Sequence, residues 1–196
     1  MERRDLLKMI AAATGMAMVG SAYAYDFAQN VKWQDTNFKQ DDIHFLNELA
    51  EVIMPRTNTP GAKDAKVGES MAIMVNDCYE AEQIANFKNG IKTIEALAQS
   101  NYGLPFVKLS KDNRHELVSS VNEKAQQEVK RNQTMGENEQ DKRSYEYHYF
   151  IMMKQLVLFC FFNSAEGATK VLRHVAIPGR YDGDMPYKKG DRAWYR

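Results

Sequence analysis

Cysteine is nearly absent from this chain: Cys78 and Cys160 are the only two among 196 residues. Two thiols exclude a disulfide scaffold, a four-thiolate zinc site and an iron–sulfur cluster. Without a Cys-x-x-Cys pair there is no thioredoxin-type couple and no c-type haem attachment. Neither sign of charge is in excess, since 26 Lys and Arg balance 26 Asp and Glu. A nucleic-acid protein normally shows a basic surplus. With 11 Gly and 5 Pro, the chain is neither collagen-like nor a linker. No apolar run reaches the roughly 20 residues that span a bilayer. A Gly-rich dinucleotide turn, a phosphate loop and a nucleophile elbow are all missing. What is present is a globular mixture, 44% hydrophobic and 27% charged. It is long enough for one domain with its own core.

Residues 1–24 read as an address. Arg3, Arg4 and Lys8 are followed by a weakly apolar run rich in Ala, Met and Gly, and then by Ala22-Tyr23-Ala24. A charged region, a short apolar region and a small-x-small site are the three parts of a signal peptide. The adjacent arginines followed by Asp5-Leu6-Leu7-Lys8 resemble the twin-arginine export signal. That route carries folded proteins, so either this chain holds a cofactor or it travels with a partner that does. Cleavage after Ala24 leaves a single domain over 25–196. The leader takes three basic and two acidic residues from a neutral chain, so the mature part has net charge −1.

Periodicity predicts an all-α fold, an irregular bundle of about five or six helices. Residues 40–54 carry Ile43, Leu46, Leu49, Ala50 and Ile53 at helical spacing, with Asp41 and Asp42 favoured in the first turn and Pro55 as the stop. A second helix spans 67–79, with Met71, Met74, Val75 and Cys78 on one stripe. A third spans 80–102 through Ile84, Phe87, Ile91, Ile94 and Leu97. Ser110 caps a fourth through Leu117, Val118, Val121 and Ala125. Residues 126–143 read as a solvated extension and a loop around Gly136. Residues 145–162 are apolar nearly all round, which makes them a central buried helix. Asn163 and Ser164 cap a last short helix to Leu172, and 178–196 form an extended, non-helical tail.

The candidate chemistry is sparse. Asp41-x-x-His44 and Asp112-x-x-His115 are the nearest approach to a helical carboxylate–histidine metal site, but both fall in first turns, where capping explains the Asp. Cys78 and Cys160 lie on predicted apolar faces, either as buried thiols or as a disulfide with each other or a partner. The loop residues Thr57, Thr59 and Pro60 and the tail residues Arg180, Tyr181 and Trp194 are candidate interface positions. Tyr, Trp and Arg are the types that dominate binding hot spots.

Two segments are more specific. Glu48-Leu49-Ala50-Glu51-Val52-Ile53-Met54-Pro55-Arg56-Thr57-Asn58-Thr59-Pro60-Gly61-Ala62 resembles the signature of subunit 3, the small subunit, of membrane-bound gluconate 2-dehydrogenase and related flavin-dependent sugar dehydrogenases. Residues 75–79, 150–172 and 178–183 look like later parts of that family, so the resemblance covers nearly the whole chain, 126–143 least. It implies a chain with no redox group of its own. FAD is expected on a partner large subunit of the glucose-methanol-choline type, and haem on a cytochrome c subunit where one exists. The small subunit would aid maturation of the flavoprotein and export it to the periplasm, reaching the membrane only through partners. Two rivals stand beside it: a stand-alone periplasmic enzyme with a metal site, and a free periplasmic chaperone or scaffold.

Overall fold

A computed structural model describes residues 32–135, 148–177, 179, 183–186 and 188–195. The leader with Arg3 and Arg4, the expected loop around Gly136, and Arg180 and Tyr181 lie outside the described residues. Five α-helices are described: α1 (Gln40–Ile53), α2 (Val67–Cys78), α3 (Ala81–Tyr102), α4 (Lys111–Met135) and α5 (Tyr149–Phe162). Short 3-10 turns at Trp33–Asp35 and Phe106–Lys108 precede α1 and α4. The fold is all-α, as the periodicity requires.

Local chemistry sets the helix ends. Asp42 Oδ2 accepts from the Lys39 backbone N–H at 2.9 Å, which fixes the start of α1. Gly103 ends α3 with φ +67°, a left-handed conformation that glycine adopts without steric cost. Ser110 Oγ accepts from Asn113 N–H at 3.2 Å and so caps α4. α5 starts later than its apolar run, because His148 is its cap: Nδ1 accepts from Phe150 N–H at 3.2 Å.

α5 is the central element and packs against each of the other four helices, while α1 and α2 form the most extensive pair. Phe45, Phe87, Phe106, Phe150 and Phe161 are fully buried, with Leu46, Leu49, Met71 and Ile94 among them. Burying each such side chain contributes about 1.5–3 kcal/mol before entropy is charged. The expected stripe of α4 is buried from Leu117 to Ala125.

One expectation needs correction. Cys78 is exposed, not on a buried face. It is the last residue of α2, and at Tyr79, which itself packs on the core, the backbone turns extended (φ −102°, ψ 149°) and ends the helical stripe. The short helix expected after Ser164 is present up to the Leu172 cap, wound as a π-helix at Gly167–Val171, in which Leu172 N–H reaches back five residues to Gly167 O at 2.8 Å. Ser164 still caps it, with Oγ accepting from Gly167 N–H at 3.0 Å. The tail then returns as an extended segment. Arg173 N–H donates to Ala193 O at 2.7 Å and Tyr195 N–H to Arg173 O at 3.0 Å, an isolated parallel bridge between Arg173 and Trp194.

Candidate functional site

The loop between α1 and α2 is built on two carboxylates. Glu51, in the last turn of α1, accepts from Arg56 N–H at 2.9 Å through Oε1 and from Lys63 N–H at 3.0 Å through Oε2. Asp64 accepts from Arg56 Nε at 2.8 Å and from Gly61 N–H at 2.9 Å, and a second contact joins it to the other arm of the Arg56 guanidinium. Ala62 N–H closes the loop onto Met54 O at 2.9 Å, and Ala62 itself is fully buried. A Cβ at Gly61 would lie 2.5 Å from Arg56 N and 2.7 Å from both Glu51 oxygens, so only glycine admits this approach. The result is a braced base with an exposed crown at Thr57, Asn58 and Thr59, held by Thr57 N–H to Thr59 O at 3.1 Å.

That crown faces the end of the chain. Thr57, Thr59 and Pro60, with Arg56 and Asp64, line a cleft of about 430 Å³ whose far wall is Glu166 and Lys170 from the π-turn. The tail locks onto the same turn: Arg192 Nη1 donates to Lys170 O at 2.8 Å. Trp194 lies under the Arg173 guanidinium at 4.8 Å, and Tyr195 Oη meets Asn163 Oδ1 at 3.3 Å. Of the six expected interface residues, Thr57, Thr59 and Pro60 line this one cleft, while Trp194 lies against Arg173. Arg180 and Tyr181 lie outside the described residues.

One group was not anticipated from the sequence. Glu48, 8% exposed, is the buried charged residue of the core. Its carboxylate accepts from Lys63 Nζ on one oxygen and from Arg114 Nη1 on the other, and His44 Nε2 lies 4.0 Å away. Arg114 also donates through Nε to Leu109 O at 3.1 Å, and burial lowers its guanidinium from the usual range. A cleft of about 470 Å³ opens beside this cluster, with Val52, Pro55 and His115 on its walls. The arrangement ties α1 to α4 through a carboxylate whose two oxygens each hold a cation.

The remaining candidates do not converge. Among the described residues, no three His, Cys, Asp or Glu side chains gather as a metal site would require. Asp42 is used at the start of α1, and His44 faces Glu48. Cys78 and Cys160 are free thiols. Burial pushes the Cys160 thiol up to about 11, so it stays protonated at neutral pH, and both sulfurs join burial in raising the Tyr79 hydroxyl. No helix of the described residues is long and apolar enough to cross a membrane.

Fold and site together define a helical-bundle protein whose distinctive feature is a braced surface loop that shares a cleft with the turn after α5. Residues 40–179, well over half of the chain, match the family model for gluconate 2-dehydrogenase subunit 3. The chain belongs to that family, and is thus one subunit of a multi-subunit dehydrogenase. The comparison with curated proteins found no match, and neither did the comparison with solved structures.

Proposed function

We propose that this chain is the non-catalytic small subunit of a periplasmic flavin-dependent dehydrogenase that oxidises a sugar or sugar acid. It assists maturation of the flavoprotein large subunit and supplies the twin-arginine leader that exports the pair. FAD belongs to the large subunit, and any haem to a cytochrome c subunit, through which the complex meets the membrane. The observation that carries this reading is the use of the charged groups in the signature segment. Glu51 and Asp64 are spent on backbone N–H groups and on Arg56, and Glu48 on Lys63 and Arg114. The segment that marks the family thus holds a surface in shape and has no free acid or base to offer.

The test is co-purification from the native host. The tagged chain should bring down a large subunit that shows oxidised-flavin absorbance, while the chain alone should be colourless and inactive. Replacing both Arg3 and Arg4 by Lys preserves charge but should strand both subunits in the cytoplasm. Normal periplasmic accumulation of that variant, or a flavin or stoichiometric metal bound to the isolated chain, refutes the reading.

A further inference from the structure

The ring of His148 is engaged at both of its nitrogens. Nδ1 accepts from the Phe150 backbone N–H at 3.2 Å. A backbone amide can only donate, so Nδ1 carries no proton here and the neutral ring holds its proton on Nε2. Nε2 lies 3.3 Å from Glu128 Oε2 on α4. The imidazole also stacks on the Tyr149 ring, with centroids 4.8 Å apart and planes 24° from parallel. Its side chain is 17% exposed. Tyr149 in turn fills the space beside Gly90 of α3, where a Cβ would come within 2.8 Å of it. The start of the central helix is thus pinned between α3 and α4.

Imidazole is the side-chain group whose charge ordinarily changes near neutral pH. A further proton on this ring has one place to go, Nδ1, and there it would face the Phe150 N–H, donor against donor. The new positive charge would also stand at the N-terminal end of α5. The helix dipole repels it there, and the first turn holds no acidic residue to offset it. Around the ring, α4 presents Glu128 and Lys124, and α3 presents Asn86, Thr93 and Leu97, three side chains that do not titrate. On α5 itself, burial and then the Glu128 charge raise the Tyr149 hydroxyl, so it stays neutral. Of these groups only Glu128 favours a charged ring. Its side chain is 52% exposed, where solvent weakens an ion pair, and it already faces the neutral Nε2–H.

We propose that His148 is a proton-sensitive latch on the start of α5: neutral, it caps the central helix, and on taking up a proton it releases the Phe150 N–H and the first turn opens. A proton that only the uncapped state accepts draws the equilibrium toward that state as pH falls. The opening is confined to this end, because Phe150 and Met153 anchor the rest of α5 in the core. What it loosens is the cap and the bond from Met152 N–H to His148 O, 3.0 Å in the closed state. The latch needs no partner, so it stands apart from the functional reading above.

The experiment is nuclear magnetic resonance on the full chain, because a Tm profile would mix in His44, His115 and His174. At about pH 7.5, where the neutral ring is expected, the nitrogen shifts of His148 should show Nδ1 bare and Nε2 protonated. Hydrogen exchange at the Phe150 amide is then followed down to about pH 5 and corrected for its intrinsic pH dependence. Protection there should fall roughly fivefold, the worth of a cap, while the Val157 amide in the middle of α5 keeps its protection. His148→Asn retains an acceptor at the cap but does not titrate, so its Phe150 protection should stay level across the same interval. If that variant does not fold, the wild-type amide and ring shifts decide alone. Protection that holds or rises toward low pH overturns the latch, since Glu128 then grips the charged ring without loss of the cap. An equal fall in wild type and in His148→Asn overturns it by assigning the change to another group. A proton found on Nδ1 in the neutral ring overturns it at the outset.

Discussion

Glu48 on α1 and Arg114 on α4 are 66 residues apart in sequence and form an ion pair inside the fold. The Glu48 side chain is 10% exposed and that of Arg114 15%, whereas Lys63, the second partner of Glu48, is 44% exposed. The two pairs therefore differ in worth. Truncating one partner of a buried pair strands the other charge and costs about 3 kcal/mol or more, while an exposed partner contributes at most about 1 kcal/mol. Glu48→Gln should lower unfolding free energy by roughly 3 kcal/mol, and Lys63→Met by under about 1 kcal/mol, in urea melts. Equal losses would show that α1 and α4 are not joined through this pair.

The helices were legible because each satisfies its own local rules. Val67 begins and Tyr102 ends a helix where the periodicity places them, and Gly103 supplies the stop. Glu48 was legible only in part. It sits three residues after buried Phe45, on the apolar stripe of α1, where a charge is out of place. Its partners are distant in sequence, and no local pattern points to them. The short helix after Ser164 was legible from its cap, but its π winding was not, since a capping serine is compatible with α and π winding alike. Cys78 fits the stripe of α2 by spacing, but spacing does not reveal where neighbouring helices stop covering it. The signature loop was recognisable as a turn from Pro55, Pro60 and Gly61. That Glu51 braces both of its ends was not, because the bonds run to backbone N–H groups that carry no residue identity.

Those braces separate two kinds of loop variant. Gly61→Ala forces a Cβ against Arg56 N and the Glu51 carboxylate. Overpacking of this kind should cost about 1–3 kcal/mol, measured as a lower Tm of the isolated chain. Thr57 and Thr59 are exposed, with their hydroxyls 3.4 Å apart. Thr57→Ala or Thr59→Ala should change stability by no more than about 0.5 kcal/mol, yet reduce the yield of complex without altering turnover per bound flavin. Collapse of turnover with assembly unchanged would place the loop in the chemistry.

The two thiols should behave oppositely. Cys78 is exposed and should react with an alkylating reagent in the native chain, while Cys160 should react only after unfolding. Burial also makes Cys160 a source of pH dependence. The unfolded thiol releases its proton near the ordinary 9.0, and the folded one near about 11. The folded state thus binds the extra proton between those values, and stability that is complete below 9.0 falls as pH rises toward about 11. Tyr79 and Tyr149, raised first by burial, push in the same direction. Cys160→Ala should start from a lower Tm but decline less steeply over this interval. Parallel profiles would assign the decline elsewhere.

Removal of the tail asks whether the end of the chain belongs to the core or to the surface. Among the described residues, every fully buried side chain precedes it, the largest late ones being Phe150, Met153 and Phe161. The tail's described contacts at home include the backbone pairing with Arg173, the Arg192 bond to Lys170 O and the Tyr195 contact with Asn163, all at exposed or half-buried positions. Each intramolecular hydrogen bond nets about 0.5–1.5 kcal/mol, and solvent-exposed ones fall at the low end. Ending the chain after Ile177 should therefore cost only about 1–2 kcal/mol, a small Tm shift with the far-ultraviolet circular dichroism of the helices retained. Capture of the flavoprotein should fall far more than stability does, because the Tyr, Trp and Arg residues of the tail, the types that dominate binding hot spots, leave together. A Tm loss as large as that of Glu48→Gln would show that the returning segment completes the core, and that the aromatic residues of the tail serve the fold before they serve a partner.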